Sequence, residues 1–243
     1  MSYTTVRKCG VELSTIQTFR GYPVKVRRFE IAGREYELLG PDEYEKLLDD
    51  PGVLARFEKD EFMPYWAEFW PACLLLADAV ATWPLVPGGL SEPPRVLEIG
   101  CGLGLAGLVA ASRGYQVIAS DYDDDALAFV TESARRNGLP LPQTRFVDWR
   151  EFYPDILVER VIAAEVLYEA RNLQPIVEFL RNHLMPGGQA WIIDGNRSTA
   201  DPFEGLARGR GLEVAVTPLR RGGIDGGKPI EGRLFRLTNS SAG

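Results

Sequence analysis

Arg95-Val96-Leu97-Glu98-Ile99-Gly100-Cys101-Gly102-Leu103-Gly104 is the stretch that decides the fold. A short apolar run carries one carboxylate near its end. It then breaks into three glycines at alternate positions, and an Ala/Leu/Val-rich segment follows from Leu105 to Ala111. The pattern reads as strand, tight loop and helix. Glycines at that spacing reach positive φ and let backbone approach a ligand closely.

Working outward from the loop, strand and helix signals alternate. A second strand over 116–120 ends in Asp121. Asp123-Asp124-Asp125 opens a helix with Leu127, Val130 and Ala134 on one face. Three carboxylates there suit the positive end of a helix, and Asn137-Gly138 closes it with a left-handed cap. A third strand over 144–147 ends in Asp148-Trp149, and a fourth over 161–164 ends in Glu165-Val166-Leu167-Tyr168. Ile176, Phe179, Leu180, His183 and Leu184 then recur at helical spacing until Met185-Pro186-Gly187-Gly188. A fifth strand over 190–193, ending at Asp194, a helix over 199–208 and strands over 212–217 and 234–237 complete the pattern. Residues 239–243 read as a flexible tail. Alternation of this kind predicts an α/β, doubly wound, mostly parallel sheet covered on both faces. Ligands in such sheets lie beyond the carboxyl ends of the strands. Glu98, Asp121, Asp148 and Glu165 all stand at such ends.

Upstream, Val24, Val26, Phe29, Ile31, Tyr36, Leu38 and Leu39 alternate around the turn Ala32-Gly33-Arg34 and predict a hairpin. Asp42 reads as a helix cap before Tyr44, Leu47 and Leu48, and a second short helix is expected over 53–59. Together 1–62 form an N-terminal hairpin and helical extension, and 63–238 the main domain. Met63-Pro64-Tyr65-Trp66-Ala67-Glu68-Phe69-Trp70-Pro71 joins the two. Pro71 fits the first turn of a helix running to about Trp83. The aromatics read equally as a core lid or as a wall over a ligand. Residues 84–94, with four prolines and two glycines, form a linker.

Composition narrows the function classes. The chain has 243 residues, 45% of them hydrophobic and 25% charged, with a net charge of −7. A general nucleic-acid binder would carry a basic excess, so no nucleic-acid partner is expected. The longest apolar run, 72–86, contains Asp78 and Pro84 and is too short to span a bilayer, so no membrane partner is expected either. Cys9, Cys73 and Cys101 are widely spaced and form no CxxC pair, which implies neither a metal site nor a disulfide framework. The polar N-terminus and the cysteine usage predict a cytoplasmic protein; a monomer is expected.

The loop's ligand follows from its charge. Gly102, Gly104 and Gly107 fit the dinucleotide spacing G-x-G-x-x-G, but the register from Gly100 is poor. Glu98 would repel a pyrophosphate. A ligand with a positive amino-acid end and no phosphate suits it better, and S-adenosylmethionine (SAM) is such a ligand. Asp121 can accept from both ribose hydroxyls, and Asp148 from the adenine amino group with Trp149 as a packing face.

On these residues the chain resembles the class I, seven-strand SAM-dependent methyltransferases. Residues 96–104 look like their motif I, Asp121 matches the ribose acid, and Asp148 the adenine-side acid. Met185-Pro186-Gly187-Gly188 resembles the turn before their fifth strand. A narrower resemblance is to the family-16 protein-lysine methyltransferases. It is carried by Trp70-Pro71, by Asp148-Trp149, and by Glu165-Val166-Leu167-Tyr168 as a (D/E)-x-x-(Y/F) motif, although aspartate is common where Glu165 stands. The wording of residues 64–71 is most similar to the branch that methylates the electron-transfer flavoprotein β subunit.

The resemblance implies a seven-stranded Rossmann-like sheet, SAM as methyl donor and S-adenosylhomocysteine as product. It places Trp70, Glu98, Gly100, Cys101, Gly102, Gly104, Asp121, Tyr122, Asp148, Trp149 and Glu165 around the cofactor. Glu165 and Tyr168 are the expected catalytic pair, Glu165 binding the incoming amine and Tyr168 orienting it, with Trp70 walling the methionine end. The expected partner is a protein with an accessible lysine. A small-molecule N- or O-methyltransferase and a non-catalytic SAM-binding module are the alternatives, with an NAD-dependent oxidoreductase further off. His183, the sole histidine, lies on an apolar helix face and reads as core. Asp194 reads as lining the substrate side or capping a helix.

Overall fold

In the computed structural model, residues 2–8, 11–49, 53, 55, 57, 58, 63–86 and 92–240 are described, with side chains from Thr18 onward. The chain begins with strands β1 (Ser2–Lys8), β2 (Val11–Phe19), β3 (Tyr22–Ile31) and β4 (Arg34–Pro41), followed by helix α1 (Tyr44–Leu48). A 3-10 turn at Tyr65–Ala67 leads into α2 (Cys73–Ala81). Then come β5 (Arg95–Glu98), α3 (Leu105–Ser112), β6 (Gln116–Asp121), α4 (Asp124–Arg136), β7 (Gln143–Phe146), β8 (Val158–Ala164) and α5 (Ala170–His183). The chain finishes with β9 (Leu184–Asp194), α6 (Phe203–Gly209), β10 (Leu212–Arg221) and β11 (Ile230–Asn239).

Seven strands form one sheet in the order β10-β11-β9-β8-β5-β6-β7. Strands β5 to β9 pair in parallel, while β11 runs antiparallel to both β9 and β10. The central strands are apolar on both faces, with Val96, Leu97, Val161, Ile162 and Ala163 fully buried. That is what helices on both sides of a parallel sheet demand. From β5 the chain first winds through β6 to β7 and then returns to the other side as β8 and β9. The switch point therefore lies at the carboxyl end of β5, where the glycine loop begins.

The N-terminal hairpin is present as β3 and β4, but within a four-stranded antiparallel sheet in the order β1-β2-β3-β4. This sheet shares a core with the main domain. Phe19, Phe29, Ile31, Leu38 and Leu39 belong to the same buried cluster as Trp66, Leu103 and Phe129. Backbone Leu39 N–H donates to Ser133 Oγ at 3.1 Å, and Tyr36 Oη lies 2.7 Å from Ser112 Oγ. Residues on the two sides of position 62 thus pack into one core.

Several local expectations change. Asp42 does not cap α1, whose N-cap is Glu43 with no side-chain cap bond; Asp42 pairs instead with Lys25 at 3.2 Å. Val53, Ala55, Phe57 and Glu58 are helical, and the rest of the helix expected over 53–59 lies outside the described residues, as do 87–91 of the linker. Met185-Pro186-Gly187-Gly188 is a register shift inside β9 rather than a turn before it: β9 pairs with β8 on both sides of the four residues. The helix expected over 199–208 is divided into a 3-10 turn at Ser198–Ala200 and α6, with Asp201-Pro202 between. Asn239 belongs to β11 and is buried, its side-chain amide donating to Leu184 O at 2.8 Å. It is no part of a tail, and 241–243 lie outside the described residues. Helix α4 matches its reading: Asp123 Oδ1 accepts from Asp125 N–H at 2.8 Å, and Gly138 has φ +61°.

Candidate active site

Beyond the carboxyl ends of β5, β6 and β8 lies a cavity of about 340 Å³. Gly100, Cys101, Gly102 and Gly104 form its floor. Asp121, Tyr122, Asp148 and Trp149 line one flank, and Glu165, Tyr168, Tyr65 and Trp70 line the other. All the expected site residues except Glu98 meet here.

The floor depends on its glycines. Gly100, Gly102 and Gly104 have φ of +57°, +51° and +75°, a region that side chains rarely adopt. Space excludes a side chain at Gly104, where a Cβ would stand 2.5 Å from Val130 Cγ2, and is tight at Gly102, where one would stand 3.3 Å from Trp66 O. The loop is closed by Gly102 N–H donating to Asp121 Oδ2 at 2.8 Å and by Cys101 N–H donating to Ser120 O at 2.9 Å.

Glu98 sits behind the loop. Its Oε2 accepts from Gly107 N–H at 3.0 Å, in the first turn of α3. Gly107 has no Cβ, which leaves room for this carboxyl; a Cβ there would stand 2.4 Å from Oε2. The third glycine of the apparent dinucleotide spacing therefore serves the strand-end acid. Glu98 does not line the cavity, so its expected contact with a ligand ammonium is replaced by a bond that ties strand to helix. Burial pushes its carboxyl up to about 8. Burial also pushes Asp121 up to about 7, against the lowering effect of the Gly102 hydrogen bond. Cys73 and Cys101 touch the cavity as thiols, Cys73 held up at about 12 by burial and by the nearby Glu98.

On the flank formed by the ends of β6 and β7, Asp148 is already engaged. Arg150 Nε and Nη2 donate to its two oxygens at 2.8 and 2.6 Å, and Arg150 also lies over the Tyr122 ring. Burial works to raise the Asp148 carboxyl, but these bonds hold it below its ordinary value. His183 is fully buried and supports this turn from below. Its Nδ1 lies 2.8 Å from Phe179 O, and its Nε2 accepts from Tyr153 N–H at 3.0 Å. Tyr153 Oη in turn accepts from Asp148 N–H at 2.8 Å.

On the other flank, Glu165 has φ +61°, an uncommon conformation for a side-chain-bearing residue. Its N–H donates to Ile193 O at 2.9 Å. The Glu165 carboxylate forms an ion pair with Arg197. Tyr168 packs edge-on against Tyr65 at 5.2 Å, and Tyr65 against Trp70 at 6.2 Å. Burial pushes the Tyr168 phenol up to about 12, so it stays neutral and can donate or accept but not act as a base. The sequence reading missed Arg197, Arg233 and Arg150. Arg150 was within reach of a local reading, two residues after Asp148; Arg197 and Arg233 reach Glu165 and Asp194 only through the fold.

The cavity tests a phosphate-free cationic nucleoside directly. Five carboxylates face it (Glu68, Asp121, Asp148, Glu165 and Glu169) against two arginines, Arg150 and Arg171. A pyrophosphate would meet Asp121 bound to the very loop that should cradle it. SAM, with ammonium, sulfonium, ribose and adenine, fits this donor set. Among the described residues no helix is long and apolar enough to cross a membrane.

Comparisons with known proteins agree with this geometry. A family model described as lysine methyltransferase matches residues 67–201. The histone-arginine methyltransferase METTL23 of Xenopus laevis is 29% identical over 202 residues, which covers 78% of this chain and 81% of that protein. A ubiquinone biosynthesis O-methyltransferase of Rickettsia conorii is 31% identical over 104 residues, covering 43% of this chain and 36% of that one. Among solved structures, a SAM-dependent methyltransferase from Methanosarcina mazei superposes with a TM-score of 0.50 at 16% identity. It covers 65% of this chain and 99% of that one, a likeness of fold.

Proposed function

The chain belongs to the lysine methyltransferase family and is a SAM-dependent methyltransferase, and from that premise we propose that its methyl acceptor is a side-chain nitrogen of a protein, lysine first. The observation that carries the proposal is the acceptor flank itself. A buried carboxylate, Glu165, and a neutral phenol, Tyr168, stand on the same cavity as the glycine loop, with Tyr65 and Trp70 beside them.

Gly100, Gly102, Asp121, Tyr122, Asp148 and Trp149 would hold the cofactor, and Glu98 would hold the loop. When bound, SAM supplies a methyl carbon on a sulfonium, whose thioether leaves without needing a proton. Positioning is then the main task left to the protein. An ammonium has no lone pair, so a lysine acceptor must lose a proton first, and an apolar aromatic surround lowers its pKa. Glu165 would accept a hydrogen bond from the amine and Tyr168 would fix its direction. Tyr65 and Trp70 would exclude water.

A second reading is an arginine acceptor. The similarity to a histone-arginine methyltransferase, which spans most of both chains, favours it. Glu165 suits a guanidinium as well, since a carboxylate pairs with two of its N–H groups. One experiment tests both readings. The protein is incubated with methyl-labelled SAM and a cell lysate, which is then split into protein and small-molecule fractions. Label in protein is expected, recovered after hydrolysis as methyllysine. Methylarginine would select the second reading, and label confined to small molecules would sink both.

A further inference from the structure

The acceptor carboxylate is not alone. Arg197 follows β9 by three residues and pairs with Glu165. Its backbone is moored on both sides: Arg197 N–H donates to Asp194 Oδ2 at 2.9 Å, and Arg197 O accepts from Arg233 Nη2 at 2.6 Å. The guanidinium carbon stands 5.7 Å from the Trp70 ring centre, which sets the cation between a carboxylate and an aromatic face of the cavity wall. The preceding residue, Asn196, takes φ +63° to bring Arg197 round. These main-chain bonds fix the backbone from which the Arg197 side chain, 31% exposed, reaches Glu165.

We propose that Arg197 is the charge-setting and positioning residue of the acceptor pocket: by pairing with Glu165 from beside the cavity, it leaves the acceptor nitrogen facing a compensated carboxylate rather than a bare one. This deepens the proposed function and rests on its reading of Glu165 and on a lysine acceptor. The charges around the pair can be counted. Glu165 comes from the end of β8, Asp194 from the end of β9, and Asp201 from the turn before α6. Arg197 and Arg233 oppose them, with Arg233 bonded to Asp194 at 3.3 Å and to Asp201 at 2.8 Å. The segment after β8 adds Tyr168, Glu169 and Arg171 at the cavity, the last two paired with each other. Trp70 and Tyr65 face the group from the entry segment. Of the five charges that touch one another, three are negative and two positive; without Arg197 the cluster holds three and one.

The consequence is chemical. A bare carboxylate would hold a lysine as ammonium, the form that cannot accept a methyl group. A compensated one can still accept a hydrogen bond from the neutral amine while attracting the ammonium less. Arg197 thus favours the reactive protonation state of the substrate without touching the methyl donor.

The test uses the full chain, methyl-labelled SAM and the protein fraction of a desalted lysate, with initial rates followed from pH 6 to 10. S-adenosylhomocysteine binding by calorimetry serves as a check on folding and on the cofactor site. Arg197→Gln is expected to bind S-adenosylhomocysteine as the wild type does. Its acid limb should move to higher pH by about one unit, which is about a tenfold lower rate on that limb. Arg197→Lys keeps the charge and loses the fork; its acid limb should stay in place with a rate a few-fold lower, and Arg197→Met, which removes the charge while keeping much of the bulk, should move the limb as Arg197→Gln does and carries the test if the glutamine variant does not fold. A limb that stays put in Arg197→Gln, a wild type with no acid limb, or a limb that moves in Arg197→Lys overturns the proposal. Glu165→Gln separates the two readings: full turnover in that variant overturns the role of Glu165 itself, whereas lost turnover with an unmoved limb in Arg197→Gln overturns only the role of Arg197.

Discussion

On the β5–β6 side of the cleft, Glu98 and Asp121 are met by backbone N–H groups, from Gly107 and Gly102. On the β8–β9 side, Glu165 is paired with Arg197, and Asp194 is met by the Arg233 guanidinium together with the Arg197 backbone N–H. Both pairs of acids end neighbouring parallel strands and both are buried, yet they are held by different means. A backbone N–H is a dipole and offsets only part of the desolvation of a carboxylate, so Glu98 and Asp121 rise to about 8 and about 7. An arginine brings a full countercharge and a fork of donors, although burial still holds the Asp194 carboxyl above its ordinary value. The first arrangement leaves Asp121 without a countercharge and able to change protonation near neutral pH. The second supplies its own cation and leaves the pocket nearer neutral.

The largest effect should come from breaking the backbone side. Gly104→Ala places a Cβ 2.5 Å from Val130 Cγ2 at φ +75°. Strain at such a φ costs about 1–3 kcal/mol, and forcing atoms into a packed site costs a similar amount. Denaturant unfolding should show a loss of roughly 2–5 kcal/mol, and S-adenosylhomocysteine binding should fall by about a hundredfold or more, which is some 2.7 kcal/mol. A variant that binds normally would show that the loop's shape does not create the cofactor site.

Breaking the ion-paired side should separate binding from turnover. Glu165→Gln is expected to lower the methylation rate by about a hundredfold, in the range for losing one polar contact to a reacting group. S-adenosylhomocysteine affinity should change by less than about threefold, roughly 0.6 kcal/mol. If affinity falls as far as rate does, the two sides are one site and the comparison fails.

The same contrast explains what the sequence disclosed. The glycine loop, Asp121 and the parallel order were legible because their bonds run between residues near one another in sequence or along adjacent strands. Gly107 was also visible, but its partner Glu98 was assigned to the ligand instead of to α3, since a strand-end acid pointing back into a helix looks the same in sequence as one pointing out. Arg197 and Arg233 were illegible. Arg233 reaches Asp194 across 39 positions, and Arg197 reaches Glu165 across 32, through pairings of β8, β9 and β11 that alternation alone does not fix. The four-stranded N-terminal sheet was half legible: β3 and β4 alternate clearly, while their place against α3 and α4 depends on Tyr36, Leu39 and the side chains of Ser112 and Ser133.

Glu98 offers a smaller effect, in stability. Its folded pKa lies above that of a free glutamate, near 4.3. The folded state therefore holds the proton more tightly than the unfolded state. The stability this adds is full below about pH 4.3 and is lost as pH rises through about 8. Between pH 6 and 8 the wild type should lose roughly 2 kcal/mol by this route, from a ceiling of about 1.36 kcal/mol per unit. Glu98→Gln keeps an acceptor for Gly107 N–H and cannot ionise, so its unfolding free energy should be flatter over that range. Parallel slopes for the two proteins would mean that Glu98 does not carry a raised pKa.

Asp121 should give the smallest and most selective signal, because only its backbone-held carboxylate titrates close to neutrality while also facing the cavity. In the free protein it is protonated below about pH 7. Ribose hydroxyls need acceptors, and the ionised carboxylate offers more of them than the acid. Cofactor affinity should therefore weaken as pH falls below 7, by at most about tenfold per unit, or some 1.4 kcal/mol. Calorimetry of S-adenosylhomocysteine binding at pH 8, 7 and 6 measures this. Asp121→Asn should bind more weakly at pH 8 and show no such slope. Glu98→Gln should keep the slope, since Glu98 lies behind the loop. If the slope survives in Asp121→Asn, the titrating group lies elsewhere, and the arginine-free side of the cleft does not owe its pH response to a carboxylate met only by backbone.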